Sequence, residues 1–118
     1  MWNKKYKDLN YFDLTPYHLY DCEKTDEGLI NVLVPKFTDK IFGKLLQPRI
    51  KNKYIRANLD KIGSETWLLI DGNNKVFEIA DKLQIIFGNE INQVNDRLLS
   101  FLSNLFKNGF ISFKEFNK

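Results

Sequence analysis

The chain is short of the residues that most small-protein chemistry requires. Its 118 residues include one cysteine, one histidine, three prolines and six glycines. A single thiol, Cys22, excludes an internal disulfide and fits a reducing compartment, so the cytoplasm is the expected setting. One histidine and one cysteine do not make a four-ligand zinc site without carboxylates that the spacing does not bring together. His18 and Cys22 share one face of a candidate strand, but lie too far apart along it for a nucleophile–base pair. Cys22 reads as a small hydrophobe and His18 as a partly exposed strand residue. No phosphate-cradling GxxxxGK[ST] loop occurs. Asp71-Gly72-Asn73-Asn74 is a turn, and no glutamate follows at the position a calcium loop needs. There is no run of about 18 apolar residues, the length that crosses a bilayer. The first twenty residues have no continuous apolar stretch of the secretory kind. These absences point away from catalysis, metals and cofactors, and the expectation is a non-enzyme with none of them.

What is present is aromatic and apolar bulk. The chain carries 10 Phe, 5 Tyr and 2 Trp, and 43% of it is hydrophobic, enough for the core of one domain over residues 1–118. Residues 1–15 mix Trp2, Tyr6, Tyr11 and Phe12 with charges and read as an arm whose aromatics dock on that core. Residues 17–23 and 29–35 read as a hairpin around the turn residues 24–28, with Pro35 at the strand's end or edge. Residues 54–59 read as a third strand. Tyr54, Arg56 and Asn58 face one way, and Ile55, Ala57 and Leu59 face the core.

Three helices follow. Asp60 caps the first, which runs to about Ile70, and Asp71-Gly72 ends it. The second spans Asn74 or Lys75 to Phe87 and ends at Gly88. The third runs from about Glu90 to Lys107, with Asn89 as its cap; Ile91, Val94, Leu98, Phe101, Leu102 and Leu105 repeat at three and four. Trp67 and Ile79 belong to the core. Residues 110–113 form a last short strand. The expected class is α+β: a winged-helix-like three-helix domain with an N-terminal antiparallel sheet of a hairpin plus a third strand.

Charge is modest overall, at a formal +3, but unevenly placed. From Lys36 to Arg56 seven basic residues stand against one acidic residue, Asp39. Within this basic insert, 36–53, Thr38 is placed to cap a short amphipathic helix over 39–46, and Pro48 blocks its continuation. The helices are near neutral. Their outward residues include Glu78, Asp81, Lys82, Glu90, Asp96, Arg97 and Lys107, a poor set for phosphate contacts. DNA binding by a winged helix is thereby the weaker alternative. Docking of a protein or an anionic membrane through the insert is a second alternative.

Leu59–Gly72 (LDKIGSETWLLIDG), Val76–Ala80 (VFEIA), Phe87-Gly88, and Phe101-Leu102 with Leu105 and Gly109-Phe110-Ile111 resemble the PqqD-like family, the RiPP recognition elements. The resemblance covers roughly residues 17–113. It implies a small winged-helix protein that binds the leader of a ribosomally made precursor peptide. The leader is then presented to a partner, commonly a radical SAM enzyme or another peptide-modifying enzyme. The family implies that the peptide adds as an extra strand beside the third strand, in a groove closed by the last helix. Carried over by position, the site is Lys53, Tyr54, Ile55, Arg56, Ala57, Asn58 and Leu59, with Val94, Arg97, Leu98 and Phe101 opposite. Lys53, Arg56 and Arg97 are placed to pair with acidic leader residues. Residues 36–53 depart from the compact family pattern, and either cover this groove or form part of it.

Overall fold

The computed structural model describes residues 10–35 and 54–117. Trp2, Tyr6, Lys53 and the helix expected over 39–46 lie outside the described residues. Among the described residues there are five strands and three α-helices: β1 (Pro16–His18), β2 (Cys22–Lys24), β3 (Ile30–Pro35), β4 (Tyr54–Asn58), α1 (Lys61–Leu69), α2 (Val76–Phe87), α3 (Val94–Lys107) and β5 (Ile111–Phe113). The strands form an antiparallel sheet in the order β2-β3-β4 and a separate antiparallel pair, β1-β5. The class is α+β, as the sequence led us to expect.

Residues 17–23 are not one strand. The chain bends at Leu19–Asp21, and its halves join different sheets. The backbone hydrogen bonds show why. The amide of Leu19 donates to the carbonyl of Phe110, beside β5, whereas the carbonyl of Asp21 accepts from the amide of Leu33 in β3. Tyr20 packs edge-on against Phe110 at 5.4 Å and fills the bend. His18 and Cys22 therefore share no strand. Cys22, read as a small hydrophobe, is exposed. His18 is half-buried and stacks flat on Trp67, with ring centroids 3.9 Å apart. Its Nε2–H donates to the Trp67 carbonyl at 2.8 Å.

The first two helices follow their sequence signals. The Asp60 carboxylate accepts from the Gly63 amide at 2.7 Å and caps α1. Asp71 accepts from the amides of Asn73 and Asn74, both at 2.9 Å, and so shapes the turn between the helices. The Lys75 amide donates to the Glu78 carboxylate, which secures the start of α2. The third helix starts later than expected. Gly88 turns the chain at φ 51°, a 3-10 turn covers Gly88–Glu90, and α3 begins only at Val94. Asn89 is not its cap; that place belongs to Gln93, in a left-handed conformation and without a side-chain cap bond. The reason lies in the core. Ile91 has an extended backbone and is buried, so the chain plunges inward before the helix can begin.

Trp67, Val76, Ile79, Leu83, Leu98, Leu102, Ile111 and Phe113 form the centre of the core, with Ile30 and Val32 from the sheet. Tyr11 and Phe12 of the N-terminal arm dock on it, as expected. No helix among the described residues is long and apolar enough to cross a membrane.

The edge of the third strand and the groove between the first and last helices

The site begins with the end of β4. Leu59 donates its amide to the Ile30 carbonyl at 2.9 Å, and the Ser64 hydroxyl accepts from the Ile30 amide at 2.8 Å. The same hydroxyl donates to the Leu59 carbonyl at 3.3 Å. Buried Ser64 thus ties the sheet to the first turn of α1. It fixes the point where β4 hands the chain to Asp60.

Main-chain direction along β4 follows from this pairing. In an antiparallel ladder the N–H and C=O of one residue point to the same side, and successive residues alternate. Leu59 bonds to β3, so Ala57 and Ile55 do too. Tyr54, Arg56 and Asn58 then turn their N–H and C=O outward. Among the described residues β4 pairs with β3 alone, so these groups form an open edge.

The side chains of β4 depart from expectation at two places. Ile55, expected to face the core, is 57% exposed. It does lie on the inward side of the sheet, opposite Val34. That end of the sheet overhangs the helices: Ile30 and Val32 are buried, Val34 is half-buried, and Ile55 lies past cover. Arg56 is not a free cation. Its Nε donates to Glu23 Oε2 at 2.6 Å, and Asn31 adds a weaker bond to the same oxygen. The Arg56 hydrogen bond, helped by that from Asn31, holds the Glu23 carboxyl below its ordinary range. Tyr54 and Asn58 are exposed as expected, and Ala57 and Leu59 are half-buried.

Beyond Leu59 a groove of about 460 Å³ opens between the start of α1 and α3. Its apolar lining is Ile62, Leu83, Ile91, Leu98 and Phe101; Asp60, Asp96 and Arg97 bring charge to it. Gly63 permits the close approach of its walls. A Cβ there would stand 3.0 Å from Asp60 Oδ1 and 3.5 Å from the ring of Phe101. The structure therefore brings Arg97, Leu98 and Phe101 together in one groove. Val94 is half-buried against the core and does not line it. Asp60, Ile62, Gly63, Leu83, Ile91 and Asp96 were missed as lining residues. A glycine within the first turn of a helix was the available signal for a close approach at Gly63. Leu83 and Ile91 were legible only as core.

The outward charges on α2 and α3 are mixed, so neither helix offers a basic face. No group of three or more histidine, cysteine or carboxylate side chains able to hold a metal occurs among the described residues.

The family described as Coenzyme PQQ synthesis protein D (PqqD) matches residues 45–111. The chain belongs to the PqqD family. PqqD proteins are peptide-binding accessory proteins of PQQ synthesis, not catalysts. The PqqD match spans β4, all three helices and the start of β5, and so contains both walls of the groove. No curated protein and no solved structure matches the chain.

Proposed function

We propose that this protein binds the leader segment of a ribosomally made precursor peptide by strand addition and presents it to a peptide-modifying enzyme, a radical SAM enzyme being the family's usual partner. The leader lies along Tyr54–Leu59 and takes its main-chain hydrogen bonds from the outward groups of Tyr54, Arg56 and Asn58. Its side chains alternate, and those on one face enter the groove against Leu98 and Phe101, with Arg97 at the mouth. Lys53 precedes that strand in the sequence, and Val94 lies on the helix that carries Arg97. The observation that carries this reading is the open edge of β4, whose chain runs without a break into the wall of an apolar groove. Family membership supplies the class of ligand.

The alternatives draw less support. DNA binding requires a basic reading surface, and none is presented by α2 or α3. The exposed and aliphatic character of Ile55 suits a strand partner better than a phosphate.

The test is an NMR titration with a precursor peptide encoded beside this protein's gene. Amide shifts over Tyr54–Leu59 and Arg97–Phe101 are expected. Shifts confined to the Thr25–Leu29 turn or to the C-terminal residues would sink the reading.

A further inference from the structure

Among the described residues, the charge that lines the groove is opposite in sign to that of the chain. The protein as a whole is basic, at +3. Yet two carboxylates, Asp60 and Asp96, line the groove against one guanidinium, Arg97. No ion pair holds Asp96 or Arg97 among the described residues. Asp60 uses Oδ1 to cap α1, and no bond to its Oδ2 is seen among the described residues. Arg56, the cation of β4 itself, is already matched by Glu23. Among the described residues that line it, the groove therefore carries two acidic side chains against one basic one.

From this we infer that the leader is recognised through a bulky apolar side chain paired with a lysine or arginine two positions away on the same face. The inference rests on the strand-addition reading above. In an added strand, residues i and i+2 point to one side, about 7 Å apart. The apolar side chain fills the space over Leu83, Leu98 and Phe101. The cation then reaches Asp96, or the outward oxygen of Asp60. A glutamate or aspartate in its place meets those carboxylates and finds only Arg97 in return. The groove thus selects against acidic leaders, in contrast to the pairing of Lys53, Arg56 and Arg97 with acidic leader residues expected from the family resemblance.

The probe is a random dodecapeptide library displayed on phage and panned against the full chain. Enriched peptides are then synthesised, and their binding is followed by fluorescence anisotropy and amide shifts. The expected winners carry a large apolar residue with Lys or Arg at two positions' distance, and shift the amides of β4 and the groove. Their affinity should fall roughly twofold to fivefold in Asp96→Asn and again in Asp60→Asn. Asparagine is itself a good helix cap, so Asp60→Asn keeps α1 intact. Winners that shift the same amides but carry Asp or Glu, or no charge preference, would overturn the charge assignment and leave strand addition standing. If no winner moves the β4 or groove amides, both readings fail together.

Discussion

The two sheets are built from similar residues and do opposite work. β5 buries Ile111 and Phe113 almost completely, and the ring of Phe113 meets Tyr11, Phe106 and Phe116 at 5.2–5.6 Å between centroids. β4 has no buried residue at all. Both strands carry large side chains, so composition does not separate them. What separates them is what stands behind each one. β5 is backed by the helices and by the N-terminal segment that pairs with it. β4 has β3 on one side and, among the described residues, no strand on the other. A strand that contributes little to the core and, among the described residues, pairs on one side only is the one on which the proposed ligand would lie.

The sharpest way to break this comparison is to shorten one large side chain in each sheet. Phe113→Ala removes a fully buried ring from an aromatic cluster and should cost about 3–5 kcal/mol of stability. Ile55→Ala removes an exposed side chain and should change stability by less than about 0.5 kcal/mol. Denaturant unfolding of the two variants checks both. Equal losses would mean that β4 belongs to the core after all. A smaller effect is expected at the clamp that closes the buried sheet. Glu115 accepts from the amide and the hydroxyl of Thr15 at 2.7 and 2.8 Å, which joins the C-terminal turn to the residue just before β1. Glu115→Ala should cost about 1.5–3 kcal/mol, the range for hydrogen bonds to a charged group. Thermal unfolding measures it, and peptide binding at β4 should be untouched.

His18, also on the buried side, supplies a pH test of the same contrast. Burial pushes its pKa below the ordinary 6.5, opposed by the bond to Trp67 and by the charge of Asp71. The unfolded chain therefore takes up a proton that the folded chain resists. Stability is whole above pH 6.5 and declines as pH falls from there towards the lower folded pKa. Glu23 and Asp71 are shifted down from 4.5 and 3.8, so their contributions hold above those values and are lost only in more acid solution. Melting temperature should accordingly fall between pH 7.5 and 5.5. His18→Phe, which keeps a ring over Trp67, should flatten that slope. An unchanged slope would assign it to another group.

Much of this organisation was legible in the sequence, because local chemistry decides it. Asp60, Gly72 and Gly88 mark helix ends whatever surrounds them, and the apolar repeat of α3 includes its buried residues Leu98, Leu102 and Leu105. The parts that were not legible depend on distant partners. The split of residues 17–23 requires knowing that Phe110 and Leu33 lie on different sides of the bend. The exposure of Ile55 requires knowing where the helices stop beneath the sheet. Alternation alone assigns it to the inward face, correctly, but says nothing of whether that face is covered. The Arg56–Glu23 pair joins residues 33 apart in sequence, and so Arg56 reads as free until the register is known. The late start of α3 follows from the burial of Ile91, which a helical repeat and an inward extended residue satisfy equally well.

The most direct probe of the open edge is a substitution expected to leave stability nearly intact. The Asn58 amide points away from β3, because its neighbour Leu59 bonds to Ile30. Proline at an edge position whose N–H faces outward removes no ladder bond. Asn58→Pro should therefore shift stability by less than about 1 kcal/mol, with Asn58→Ala as the control for the side chain. Binding is different. An added strand loses one main-chain hydrogen bond, worth about 0.5–1.5 kcal/mol, and meets the proline ring where that bond would form. Peptide affinity should drop at least severalfold in Asn58→Pro and hardly at all in Asn58→Ala. If both variants bind alike, the peptide does not pair with β4, and the groove takes its ligand through side chains alone.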